Sequence, residues 1–169
     1  MNSRIKSCLI RSIDSETKFN HWRKSNNMAT LPSNEFKDLI GRKIISFPAD
    51  AFKIILMASG YTFDRANHNV YADITAQELA TGAGYTAGGQ TLTGVVITRD
   101  NINNEERVTW NNASWLATGG NLVAQGAIIF DDTVTAPVAD PVIGYIDFGA
   151  PTTTFDTGNF TIANIAVIW

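Results

Sequence analysis

From about residue 50 onward, short apolar runs and alternations are separated by polar and glycine-rich breaks. Residues 52–58 form an almost unbroken apolar run, the pattern of a strand buried on both faces. Residues 70–74 alternate. Residues 90–99 are rich in β-branched side chains, 100–106 are polar turn sequence, and 107–110 turn apolar again, which together predict a hairpin with a long tip. The strongest strand signal is 122–130. A loop follows over 131–141, then a second alternation over 142–148. The last stretch, 159–169, carries Phe160, Ile162, Ile165, Val167 and Trp169. Seven or eight short strands, with turn signals every roughly 8–12 residues, predict a mainly β fold: an antiparallel β-sandwich or a barrel-like jelly roll. No long helical period separates the strands, which disfavours a parallel α/β sheet. The pattern places Ile55, Val95, Ile97, Ile128, Phe130 and Ile146 in the core.

One short helix is predicted ahead of this body, over 33–40. Ser33 or Asn34 can cap it by accepting an unpaired first-turn N–H. Glu35 suits the positive end of the helix dipole. Phe36, Leu39 and Ile40 share one face, and Gly41 suits the position just past the end. Ile5, Leu9, Ile10 and Ile13 fall on one helical face, but residues 1–27 sustain no longer period. The chain therefore divides into an N-terminal arm (1–27), a helix with its linker (28–49) and a β body (50–169).

Charge sharpens that division. Residues 1–27 carry six basic side chains against two acidic, a net +4, whereas residues 28–169 carry seven basic and fourteen acidic, a net −7. A basic arm ahead of an acidic body suits attachment to nucleic acid or to an acidic neighbouring subunit; a solvated extension, or a start at Met28, which opens Met-Ala-Thr-Leu-Pro, is the plainer alternative. The apolar stretch Cys8, Leu9, Ile10 is too short for a secretory signal, and no apolar run approaches the ~18 residues of a membrane span. One cysteine excludes an internal disulfide framework, and two histidines leave little for His-based metal chemistry. Charged residues make up 17% of the chain, against about 25% in average globular proteins, so few charges need desolvating when surfaces are buried.

Candidate chemistry is sparse. The glycine-rich stretch 81–89 lacks the Lys-Ser/Thr of a phosphate-binding loop and leads into a strand, so it reads as a turn with positive-φ positions at one or more of Gly84, Gly88 and Gly89. Asp131, Asp132 and Asp140 match no calcium-loop spacing and read as a solvated strand end. Glu105 and Glu106 sit at a predicted hairpin tip, where neither carboxylate is desolvated enough for acid–base work. His68 lies in a polar turn with no nucleophile motif beside it. No catalytic, cofactor-binding or metal-binding residue is assigned. Trp110 and Trp115 are expected as core or interface anchors.

Several segments together carry a resemblance. They are Asn-Glu-Phe-Lys-Asp-Leu-Ile-Gly at 34–41, Phe-Lys-Ile-Ile-Leu-Met at 52–57, Gly-Tyr-Thr-Ala-Gly-Gly at 84–89, Val-Thr-Trp at 108–110, Ala-Ile-Ile-Phe-Asp-Asp at 127–132, Tyr-Ile-Asp-Phe-Gly at 145–149 and Gly-Asn-Phe-Thr-Ile at 158–162. Over about 140 residues this order resembles a family of small virion structural proteins of tailed bacteriophages. The resemblance implies a non-enzymatic capsid decoration (cement) protein that binds the major capsid protein at the particle surface. Self-association, as a trimer, is expected from the habits of such proteins, with no membrane or nucleic-acid partner. The expected interface residues are Ile5, Leu9, Ile10, Phe19, Trp22 and Trp115. Alternatives are a tail or head–tail junction subunit, a host-binding head fibre, or a carbohydrate-binding sandwich in which Trp22, Tyr61, Trp115 and Tyr145 stack sugars.

Overall fold

A computed structural model describes residues 30–169, so the arm's expected anchors, Ile5, Leu9, Ile10, Phe19 and Trp22, lie outside the described residues. The described chain is mainly β, with antiparallel sheets and one short helix, arranged as a β-sandwich. In chain order the elements are β1 (Leu31–Pro32), α1 (Asn34–Gly41), β2 (Phe52–Met57), β3 (Gln90–Thr91), β4 (Val96–Asp100), β5 (Glu105–Thr109), β6 (Ala113–Leu116), β7 (Leu122–Asp131), β8 (Val142–Thr154), β9 (Asn159–Ile162) and β10 (Ala166–Ile168). They form a five-stranded sheet in the order β1-β8-β7-β2-β3, a three-stranded sheet β10-β5-β4 and a β6-β9 pair.

The unbroken apolar run of β2 has the physical cause its pattern suggested. β2 lies between β3 and β7, in register from Phe52 opposite Asp131 to Met57 opposite Gly126, and both faces of the sheet are covered. Side chains alternate across a strand. Ile54, Leu56, Ala127, Ile129, Ile143 and Ile146 enter the main core with Phe36, Leu39, Val108, Trp110 and Val167. Ile55, Met57, Ile128, Phe130 and Tyr145 face the other way, under a cover that includes Tyr61, Phe63, Tyr71 and Ile74. In the main core, Phe47 stacks on Phe52 and on Trp169 and meets Trp110 edge-on.

The helix begins as its sequence indicates. The Ser33 hydroxyl accepts the Phe36 N–H at 2.9 Å and donates to the Val142 carbonyl. Its left-handed closing position lies two residues later than expected. Gly41 stays helical, Arg42 caps, and Lys43 takes the left-handed turn at φ 60°. Lys43 N–H then bonds the Ile40 carbonyl and Ile44 N–H the Leu39 carbonyl, a Schellman closure that lets Ile44 pack on the core.

Other expectations need correcting. The alternation at 70–74 is not a strand: Tyr71–Asp73 and Thr75–Gln77 are 3-10 turns, between which Ile74 is fully buried, and Tyr71 stacks on Phe130 at 4.6 Å. Residues 90–99 do not form one strand, because the chain breaks at Gly94 (φ 68°) between β3 and β4. Val95 and Ile97, expected in the core, are exposed, since no layer covers β4 on either side. Ile55, Ile128, Phe130 and Ile146 are buried as expected.

Candidate interaction surface

Three polar clusters are built into the body. Glu78 accepts hydrogen bonds from the hydroxyls of Tyr71 (2.7 Å) and Tyr85 (2.5 Å) and from the Gly88 N–H (2.7 Å). It ties the 3-10 segment to the glycine-rich loop, where Gly84, Gly88 and Gly89 all have positive φ, as expected. A carboxylate thus occupies a backbone N–H that a phosphate-binding loop would need for its own anion. His68 is held in its turn by the Asp64 N–H, which donates to Nδ1 at 3.1 Å, with the Tyr61 hydroxyl 2.8 Å from the same atom. Burial pushes the Tyr61 phenol upward, and the nearby Tyr145 and Asp64 add to that, so it stays protonated. Among the described residues, no serine or cysteine hydrogen-bonds this pair.

The third cluster overturns the solvated strand end. Asp131 is fully buried at the end of β7. Its Oδ1 accepts the N–H groups of Thr133 (2.8 Å) and Val134 (3.2 Å), while Oδ2 is buried with no donor among the described residues, beside the Asp50 carboxylate. Burial is the main reason its carboxyl is raised from 3.8 to about 6; repulsion from the Asp50 carboxylate adds to it, and the two N–H bonds only partly oppose it. Asp132, the neighbour on the opposite face, is exposed and pairs with Lys53 at 2.9 Å.

A pH prediction follows for Asp131. A carboxyl raised in the folded state stabilises the fold by binding a proton. That contribution is complete below the unfolded value near 4 and is lost as pH rises through about 6. In an Asp131→Asn variant the side-chain amide oxygen can keep the two N–H bonds, and the amide nitrogen can donate toward Asp50. The Asp131→Asn protein is therefore expected to melt higher than wild type at pH 7.5, by on the order of 3 kcal/mol, and to match it at pH 4. Thermal melts of both proteins across pH 4–8 check this; a constant difference would mean that Asp131 does not titrate in this range.

Among the described residues there is no group of three or more His, Cys, Asp and Glu side chains arranged to hold a metal, and no helix is long and apolar enough to cross a membrane. The aromatic residues suggested for sugar stacking do not offer open faces. Tyr61, Trp115 and Tyr145 are buried, with Tyr61 against Tyr145 and Trp115 between Tyr85 and Phe160. This also corrects Trp115 as an interface anchor: the alternation of β6 turns Ala113 and Trp115 inward and leaves Ser114 and Leu116 outside.

What remains is a surface. Residues 93–99 are exposed without a break, and Val95, Val96 and Ile97 are 37, 55 and 44% exposed. Ile102, at the tip of the β4–β5 hairpin, is 91% exposed. Sequence reasoning missed this surface, since a β-branched run reads alike whether its partner is the core or another chain. No family model, no curated protein and no solved structure matches this chain.

Proposed function

We propose that this chain is a virion structural protein of a tailed bacteriophage, a capsid decoration protein that binds the major capsid shell and stabilises it. The observation that carries this reading is the exposed apolar edge of the body at Val95, Val96 and Ile97, with Ile102 at the adjoining hairpin tip. Such an edge gives the body something to dock. The segment resemblance supplies the particle context, and the basic arm supplies a second contact for acidic neighbouring surface. Ion pairs at an exposed interface are worth about 0–1 kcal/mol each. The apolar side chains of the arm and hairpin therefore dominate the affinity, and added salt weakens attachment only modestly.

The test is removal of residues 1–27, followed by measurement of occupancy on purified particles and of particle stability to heat. Occupancy and stability are both expected to fall, and intact protein is expected near the copy number of the major capsid protein. Full occupancy and unchanged stability without the arm would remove its attachment role. A copy number of about a dozen or fewer would place the protein at the head–tail junction instead.

A further inference from the structure

β4 ends the three-stranded sheet, with β5 on one side and no strand of the described residues on the other. Its side chains alternate between faces, so Val96 projects to one side and Ile97 to the other, with Val95 exposed just ahead of the strand. The exposed apolar surface therefore wraps the edge itself. An open apolar edge is a template for another strand, and proteins that stay single blunt it with lysine, proline or a bulge. Here Arg99 is the only basic residue among residues 93–99 and no proline stands there.

We propose that this edge receives residues 1–27 of a neighbouring copy, added as a further strand. Backbone hydrogen bonds would supply the attachment and Ile5, Leu9 and Ile10 the apolar match to Val95, Val96 and Ile97. The place where the arm joins the fold favours this occupant. The Thr30 N–H and hydroxyl both bond the Ala166 carbonyl on β10, at the opposite edge of the same three-stranded sheet. β4 lies two strand spacings away, about 10 Å, and 27 extended residues reach about 90 Å, well beyond one body. Charge is complementary as well: an arm of +4 meets a body of −7, although the hairpin itself is close to balanced, with Asp100, Glu105 and Glu106 against Arg99 and Arg107. The choice of a neighbouring copy over the arm's own body rests on the proposed shell role, in which copies stand side by side. An arm held in trans joins them and closes the edge of each.

Cys8, the one cysteine in the sequence, allows a direct test in the full-length protein, free of particles. The natural chain serves as donor. The acceptor is the Cys8→Ser chain carrying Val95→Cys, Val96→Cys or Ile97→Cys, positions whose exposure lets the fold keep its melting temperature. In a mixture of the two, a disulfide between Cys8 and the new thiol forms only between copies. Linkage, identified by mass spectrometry, is expected at one or more of these positions, many times above that to a thiol at exposed Thr135→Cys, and lost when the donor carries Ile5→Asp with Leu9→Asp. Linkage no greater than the control overturns the proposal. So does a link that forms in a single chain carrying both thiols but never in the mixture, since that places the arm on its own body. Particle occupancy is measured separately, so failure here leaves the shell role standing, and success here does not establish it.

Discussion

The Ile128→Asp protein is expected to show no cooperative unfolding transition, by heat or by urea. Ile128 has no solvent exposure and stands mid-strand in β7, in register with Ile55 on β2 and Tyr145 on β8. A carboxylate there would enter a cluster of Ile55, Met57, Ile74, Phe130 and Val142, with Tyr61 and Tyr71 hydroxyls already engaged by His68 and Glu78. Burying an unpaired charge costs at least several kcal/mol, comparable with the 5–15 kcal/mol that holds a typical domain together. Ile128→Val, which removes one methylene and adds no charge, is expected to cost only about 0.5–1.5 kcal/mol. Circular dichroism melts of the two variants separate charge from volume. A wild-type melting temperature for the aspartate variant would mean that the outer face of the large sheet is not a core.

The second large effect is expected at Gly89. It has φ 65°, and a Cβ there would lie 2.0 Å from the Ile54 carbonyl oxygen and 2.8 Å from a methyl of Ile55. The obstacle is the backbone of β2, which cannot yield without breaking the sheet. Gly88, next to it, has φ 89° but nothing within 4 Å of a Cβ. Gly88→Ala therefore carries backbone strain alone, about 1–2 kcal/mol. Gly89→Ala adds the clash and is expected to cost about 3–5 kcal/mol, among the largest single-residue effects. Urea midpoints of the two alanine variants measure the difference. Equal losses would show that conformation, and not close approach to β2, is why glycine stands at 89.

What the sequence disclosed depended on whether a signal had one physical cause or two. The run at 52–58 could be placed because a continuous apolar strand implies cover on both faces, and both faces are covered. The cap at Ser33 was legible because its partner, the Phe36 N–H, is three residues away. Val95 and Ile97 were misplaced because β-branched alternation marks strand, not the identity of what lies against it. Asp131 was misread for a different reason. Its burial depends on how 50–51 lie against 131–133, where the Ala51 N–H bonds the Thr133 hydroxyl and the Asp132 N–H bonds the Ala51 carbonyl. No local window of sequence contains both halves of that contact. The interface residues chosen from the sequence fell on the arm and on Trp115; the body's own exposed apolar edge became visible only when the strands were placed.

The junction between arm and body has a mechanical meaning. Thr30 is hydrogen-bonded to Ala166 of β10, and three residues later Ser33 bonds the carbonyls of β8 through its hydroxyl, to Val142, and its N–H, to Ile143. These side chains are buried, and β10 and β8 belong to different sheets. A pull on the arm therefore enters the molecule at a point riveted to both layers of the sandwich. The load is divided between the layers instead of peeling one strand from its edge, which is how a tether between copies must be anchored if the bodies it joins are to stay intact.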